Sequence, residues 1–109
     1  MQGEKMAFTD NLKRLPSVED LEKLDLIDEA GKVVAIIENK PRQSSSLAVY
    51  HQLLQEYGAI NASAAIEGLT LFAEHTNGAE QNPGYHPNID RLFRVIEENW
   101  SLSAKITRK

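Results

Sequence analysis

Between Leu24 and Glu38 the apolar residues fall into two short runs rich in β-branched side chains. Leu24, Leu26 and Ile27 lead into Asp28-Glu29-Ala30-Gly31, and Val33, Val34, Ile36 and Ile37 lead out again. Two such runs around a tight acidic turn predict a β-hairpin, with Gly31 taking the positive φ that a short connection needs. From Leu47 the spacing lengthens to three and four. Leu47, Tyr50, Leu54 and Tyr57 share one helical stripe, Leu53 widens it, and Gly58 stops it.

Asn61 is placed to cap a second helix whose face is Ala62, Ala65, Ile66, Leu69, Phe72 and Ala73, and which runs on to Asn77-Gly78. Gly68 in its middle costs about 1 kcal/mol relative to alanine, so close backbone contact is expected there. Residues 78–86 then read as a connector. A third helix opens at Pro87, with Asp90 near the positive end of its dipole. Its buried stripe is Ile89, Leu92, Phe93, Ile96 and Trp100, and Arg94 and Glu98 form an outward i,i+4 pair.

The ends carry weaker signals. Thr9 starts a short helical turn that Pro16 stops, and Ser17 offers the cap of another turn, with Asp20 where a capping box prefers glutamate. After Trp100, Leu102, Ala104 and Ile106 alternate with polar residues, which suits either an edge strand that completes a three-stranded sheet with the hairpin or a frayed tail. The expectation is therefore an α+β fold, a small antiparallel sheet packed against three principal helices, in a single domain over 1–109 with residues 1–8 as an N-terminal extension.

Composition narrows the function more than the fold. A chain of 109 residues supports one core. The formal charge of −4, with scattered basic residues, disfavours nucleic acid, whose phosphates need a cationic face. The absence of cysteine removes disulfides, thiolate nucleophiles and thiolate-ligated metals. With no signal-like segment and no apolar run long enough to span a bilayer, a cytoplasmic protein with no membrane partner is expected.

The blocks DEAGKVV, INASAAIEGLTLFAEHT and NPGYHPNIDRL, in that order, resemble a small family of uncharacterised bacterial proteins of about 100 residues, with the similarity running from about Leu15 to Trp100. The resemblance implies a bacterial, cytoplasmic protein and supplies no catalytic residue.

Candidate chemistry gathers in residues 73–90, AEHTNGAEQNPGYHPNID, which hold two of the three histidines. Glu74, His75, His86 and Asp90 are ligand types for zinc or a similar divalent metal, and one imidazole oriented by a carboxylate would equally suit general acid/base work. Helix signals alone account for them: His75 sits near a helix end, and His86-Pro87 opens the next helix. No HExxH, GxSxG or glycine-rich phosphate loop is present.

A second group, Lys40, Arg42, Ser44, Ser45 and Ser46, places two cations before a helix start and suits a phosphate or carboxylate, or else a solvated loop with surplus serine caps. His51 reads as a partly packed boundary residue, and Tyr50, Tyr57, Phe72, Phe93 and Trp100 as core. These features favour a non-enzymatic binding or regulatory module acting through protein or small-ligand contacts, self-association included, with no cofactor. The alternative is a metal or acid/base enzyme at His75 and His86.

Overall fold

A computed structural model describes residues 7–109. Its sheet has the order β2-β1-β3, from β1 (Leu21–Ile27), β2 (Val33–Glu38) and β3 (Ser103–Arg108), both pairings antiparallel. The hairpin and the C-terminal strand stand as expected. The turn is held by Asp28, whose Oδ1 accepts from the amides of Ala30 and Lys32, each at 2.9 Å, while Gly31 takes φ 87°. Because successive side chains alternate between faces, Leu24 and Leu26 point with their partners Ile37, Ala35, Ile106 and Ala104 towards the helices. Asp25, flanked by Ile36 and Lys105, belongs to the opposite face.

Ser17 caps no helix. Its Oγ accepts from the Glu19 amide at 3.2 Å, the chain turns at Glu19 and Asp20, and β1 begins at Leu21, earlier than the hydrophobic pattern implied. Asn39 closes this entry, its amide nitrogen donating to the carbonyls of Val18 (2.9 Å) and Leu21 (2.8 Å).

Among the described residues five helices complete the fold: α1 (Phe8–Lys13), α2 (Ser44–Tyr57), α3 (Ala62–Phe72), α4 (Glu74–Gln81) and α5 (Pro87–Glu98). Among the described residues, none is long and apolar enough to cross a membrane. Of the expected N-terminal extension, residues 1–6 lie outside the described residues, and Phe8 is buried at the start of α1. Gly58 ends α2 with φ 79°, and Asn61 caps α3 through Oδ1, which accepts from Ala64 at 2.9 Å.

The second expected helix divides in two. Ala73 adopts φ 55° and ψ −121°, a conformation that breaks the ladder, so α3 stops at Phe72 and α4 starts one residue later. Asn77 and Gly78 thus lie inside α4, and the connector shrinks to 82–86. Thr76 Oγ1 satisfies the carbonyl of Leu69 at 2.6 Å across the break. In α5 the deepest residues are Ile89, Leu92 and Val95, while Phe93, Ile96 and Trp100 are partly buried. Arg94 does not reach Glu98; its guanidinium lies over the Trp100 ring, 5.1 Å from the centroid.

The three principal helices meet at Gly68. A Cβ there would stand 2.8 Å from Cδ1 of Leu92 and 2.9 Å from Cδ1 of Leu53, both fully buried. The close contact expected from sequence is the packing of α3 between α2 and α5. Gly68→Ala gains about 1 kcal/mol of helix propensity and forces two packed leucines aside at about 1–3 kcal/mol. The expected result is a net loss of about 1 kcal/mol, measured as a lower urea midpoint.

His51 is more buried than expected, 5% exposed on α2, with Nδ1 lacking a partner and Nε2 3.2 Å from the Gln55 amide nitrogen. Burial, with the Arg108 guanidinium next, holds its pKa below the ordinary histidine value. The unfolded chain therefore protonates first as pH falls. The contribution of His51 to stability is whole above roughly pH 6.5 and is lost as pH drops through the folded value. His51→Gln should flatten that acid limb in unfolding midpoints measured across pH.

Candidate functional site

A cleft of about 290 Å³ lies where three helices begin. The first turn of α2 supplies Ser45 and Ser46, preceded by Arg42; α4 supplies His75 from its first turn; α5 contributes Pro87, Asn88 and Ile89, preceded by Tyr85 and His86. Phe8 and Phe72 form the floor, their rings stacked at 5.4 Å. Helix starts carry the positive ends of the helix dipoles, so this cleft lies where three such ends meet.

The structure joins residues that the sequence offered as two separate groups. His75 and His86 converge, their ring centroids 5.9 Å apart, and His75 stands edge-on to Phe8 at 5.0 Å. The carboxylates grouped with them are occupied elsewhere. Glu74 Oε1 accepts from the Phe8 amide at 2.9 Å, capping α1, and Asp90 Oδ2 accepts from the Gly84 amide at 2.9 Å, holding the turn before α5. Among the described residues no group of three or more histidine, aspartate and glutamate side chains is arranged to hold a metal ion. Among the described residues, neither imidazole is hydrogen-bonded to a hydroxyl, and the contacts of the Glu74 and Asp90 carboxylates described above go to backbone amides.

The other group splits. Arg42, Ser45 and Ser46 line the cleft, and Arg42 has no carboxylate within ion-pair distance among the described residues. Lys40 is diverted to Glu38 at 2.8 Å, a contact that raises the lysine pKa and lowers that of the glutamate. Ser44 faces a different cleft of about 430 Å³ with Leu12, Pro16 and Ala48. The serines are not caps: Gln43 holds the N-cap position, and its own side chain turns back to accept from the Glu38 amide at 3.1 Å. Ser45 and Ser46 thus line the cleft from the first turn of α2 without serving as its cap.

One buried linkage fixes the α5 wall. Tyr50 is fully buried and donates through its hydroxyl to the Asn88 carbonyl, while Arg91 bridges the Tyr50 oxygen at 3.2 Å and Asn88 Oδ1 at 2.8 Å. Burial pushes the Tyr50 pKa up to about 12, so the hydroxyl stays a donor. Asn88 and Phe8 were missed in the sequence. Pro87 at the first helical position marked the helix end that Asn88 occupies, whereas nothing local to Phe8 ties it to His75.

Fold and cleft together define a small α+β domain with a ligand-sized recess at converging helix starts. The chain belongs to the family described as "uncharacterized protein conserved in bacteria (DUF2322)", which it matches over residues 8–106. The match takes in α1 and most of β3, beyond the span over which the sequence blocks showed resemblance. No curated protein and no solved structure matches the chain.

Tyr50→Phe removes the hydroxyl linking α2 to α5 and should cost about 1–2 kcal/mol, with Asn88 and Arg91 left short of a partner. Denaturant melts read the loss. Amide chemical-shift changes concentrated at residues 86–91 would report that the wall itself has loosened.

Proposed function

We propose that this chain is a non-enzymatic binding module that takes a small anion, a carboxylate or phosphate group, in the cleft between the starts of α2, α4 and α5. The observation that carries this reading is the convergence of those three helix starts on one recess with Arg42, which has no carboxylate partner among the described residues, at its edge. Two imidazoles and two serine hydroxyls add further hydrogen-bond donors. An anion here would gain charge-assisted hydrogen bonds without displacing an existing ion pair. The overall negative charge of the chain does not oppose this, because only charges within about 10 Å act strongly at moderate salt.

Isothermal titration calorimetry of the full chain with inorganic phosphate and with citrate tests the reading. Binding of at least one is expected, weakening as salt rises. Arg42→Ala should weaken it about tenfold, as expected for losing a charge-assisted hydrogen bond, and His86→Ala should weaken it too. Lys40→Ala should leave it unchanged. Absence of binding for both anions, or an Arg42→Ala variant that binds as well as the parent, overturns the proposal. Stoichiometric zinc in the purified protein would replace it with the metal-site alternative.

A further inference from the structure

The free edge of β2 carries a signature separate from the cleft. β2 ends the sheet order, and its sequence Val33-Val34-Ala35-Ile36-Ile37 has no charge and no proline until Glu38. Val33, Val34 and Ile36 are 44%, 43% and 48% exposed. The opposite edge strand, β3, bears Lys105 and Arg108, the kind of charge that keeps an edge from pairing with another chain.

The hydrogen-bond pattern says which backbone groups are open. The Asn39 amide donates to the Glu22 carbonyl at 2.9 Å, so alternation turns Ile37 and Ala35 towards β1 and turns Glu38 and Ile36 away from it. The outward amide of Glu38 is already taken by Gln43 Oε1 at 3.1 Å. What remains open is the stretch from Ile36 back to the bulge, where Val34 is the extra residue opposite Leu26 and Ile27.

We infer that this edge binds the same edge of a second copy, antiparallel and centred on Ala35, so that two three-stranded sheets become one of six strands. Charge and hydrogen bonding select both the partner and the register. With the two-fold axis at Ala35, Val34 faces Ile36, Val33 faces Ile37, and Lys32 of each copy meets the Glu38 of the other, where Lys40 already sits 2.8 Å from the carboxylate. Opposite charges across strands favour pairing, and like charges oppose it. Moving the axis to Ile36 sets Lys32 against Lys40 and requires the Glu38 amide that Gln43 holds. Moving it to Val34 sets Ile36 against Lys32. Only the Ala35 register pairs apolar with apolar and acid with base while leaving the Gln43 contact intact. A symmetric pair of this kind is isologous and closes at two copies.

Sedimentation velocity on the full chain over a concentration series tests the inference. A reversible dimer is expected. Ile36→Lys, at an exposed position, should give a monomer with an unchanged circular dichroism spectrum. Lys32→Glu alone and Glu38→Lys alone should each weaken the dimer about tenfold, two cross-strand pairs having turned repulsive. An equimolar mixture of those two variants should recover it, because each Lys–Glu contact reforms between unlike chains. A monomer at every concentration reached, a dimer indifferent to Ile36→Lys, or a mixture no tighter than its components overturns the inference.

Discussion

The absence of a side chain at residue 68 sets the spacing of the whole helical layer. Leu53 from α2 and Leu92 from α5 occupy the space that a Cβ would claim, so α3 lies against both neighbours at backbone range. Packed interiors have almost no slack at the scale of a methyl group. Leu53 and Leu92 thus hold α2 and α5 to the same point of α3, and the Tyr50 hydroxyl joins those two helices directly at the Asn88 carbonyl.

Chain entry and exit are tied to the same framework by polar contacts at the sheet ends. Asn39 spans the approach to β1, and the Ile60 and Leu102 backbones exchange hydrogen bonds of 2.8 and 3.0 Å where the α2–α3 connection passes the start of β3. Asn11 donates to the Leu71 carbonyl at 2.9 Å and fastens α1 to the end of α3. Buried polar groups of this sort specify one arrangement because leaving any of them unpaired costs about 1–3 kcal/mol. They explain how a core of mixed leucine, valine and alanine settles into a single packing.

Much of the fold was legible because periodicity and punctuation agreed. The hairpin, the Asn61 cap, the Gly58 stop and the Pro87 start each combine a hydrophobic period with a residue of special backbone chemistry. The break at Ala73 carried no such mark. Alanine is the strongest helix former, and its positive φ here is imposed by tertiary packing that no local pattern encodes. The cleft was legible as residue types and not as an arrangement. His75, His86, Arg42, Ser45 and Ser46 were all identified, but in two groups, because their union depends on how α2 and α5 cross. Of the assignments that moved, Lys40, Glu74 and Asp90 did so because a nearby carboxylate or amide claimed them first, and Ser44 did so because it lines a different cleft.

The torsion at Ala73 also decides what kind of object the recess is. A backbone that stayed helical through that residue would run as one rod from 62 to 81 and swing the imidazole of His75 away from Phe8. Holding the bend costs about 1–3 kcal/mol, set against the ring contacts of Phe8 with Phe72 and His75. The wall beside His75 therefore stands on an uncommon backbone torsion at Ala73 next to the Phe8 ring contacts, so the recess and the aromatic stack share one anchor.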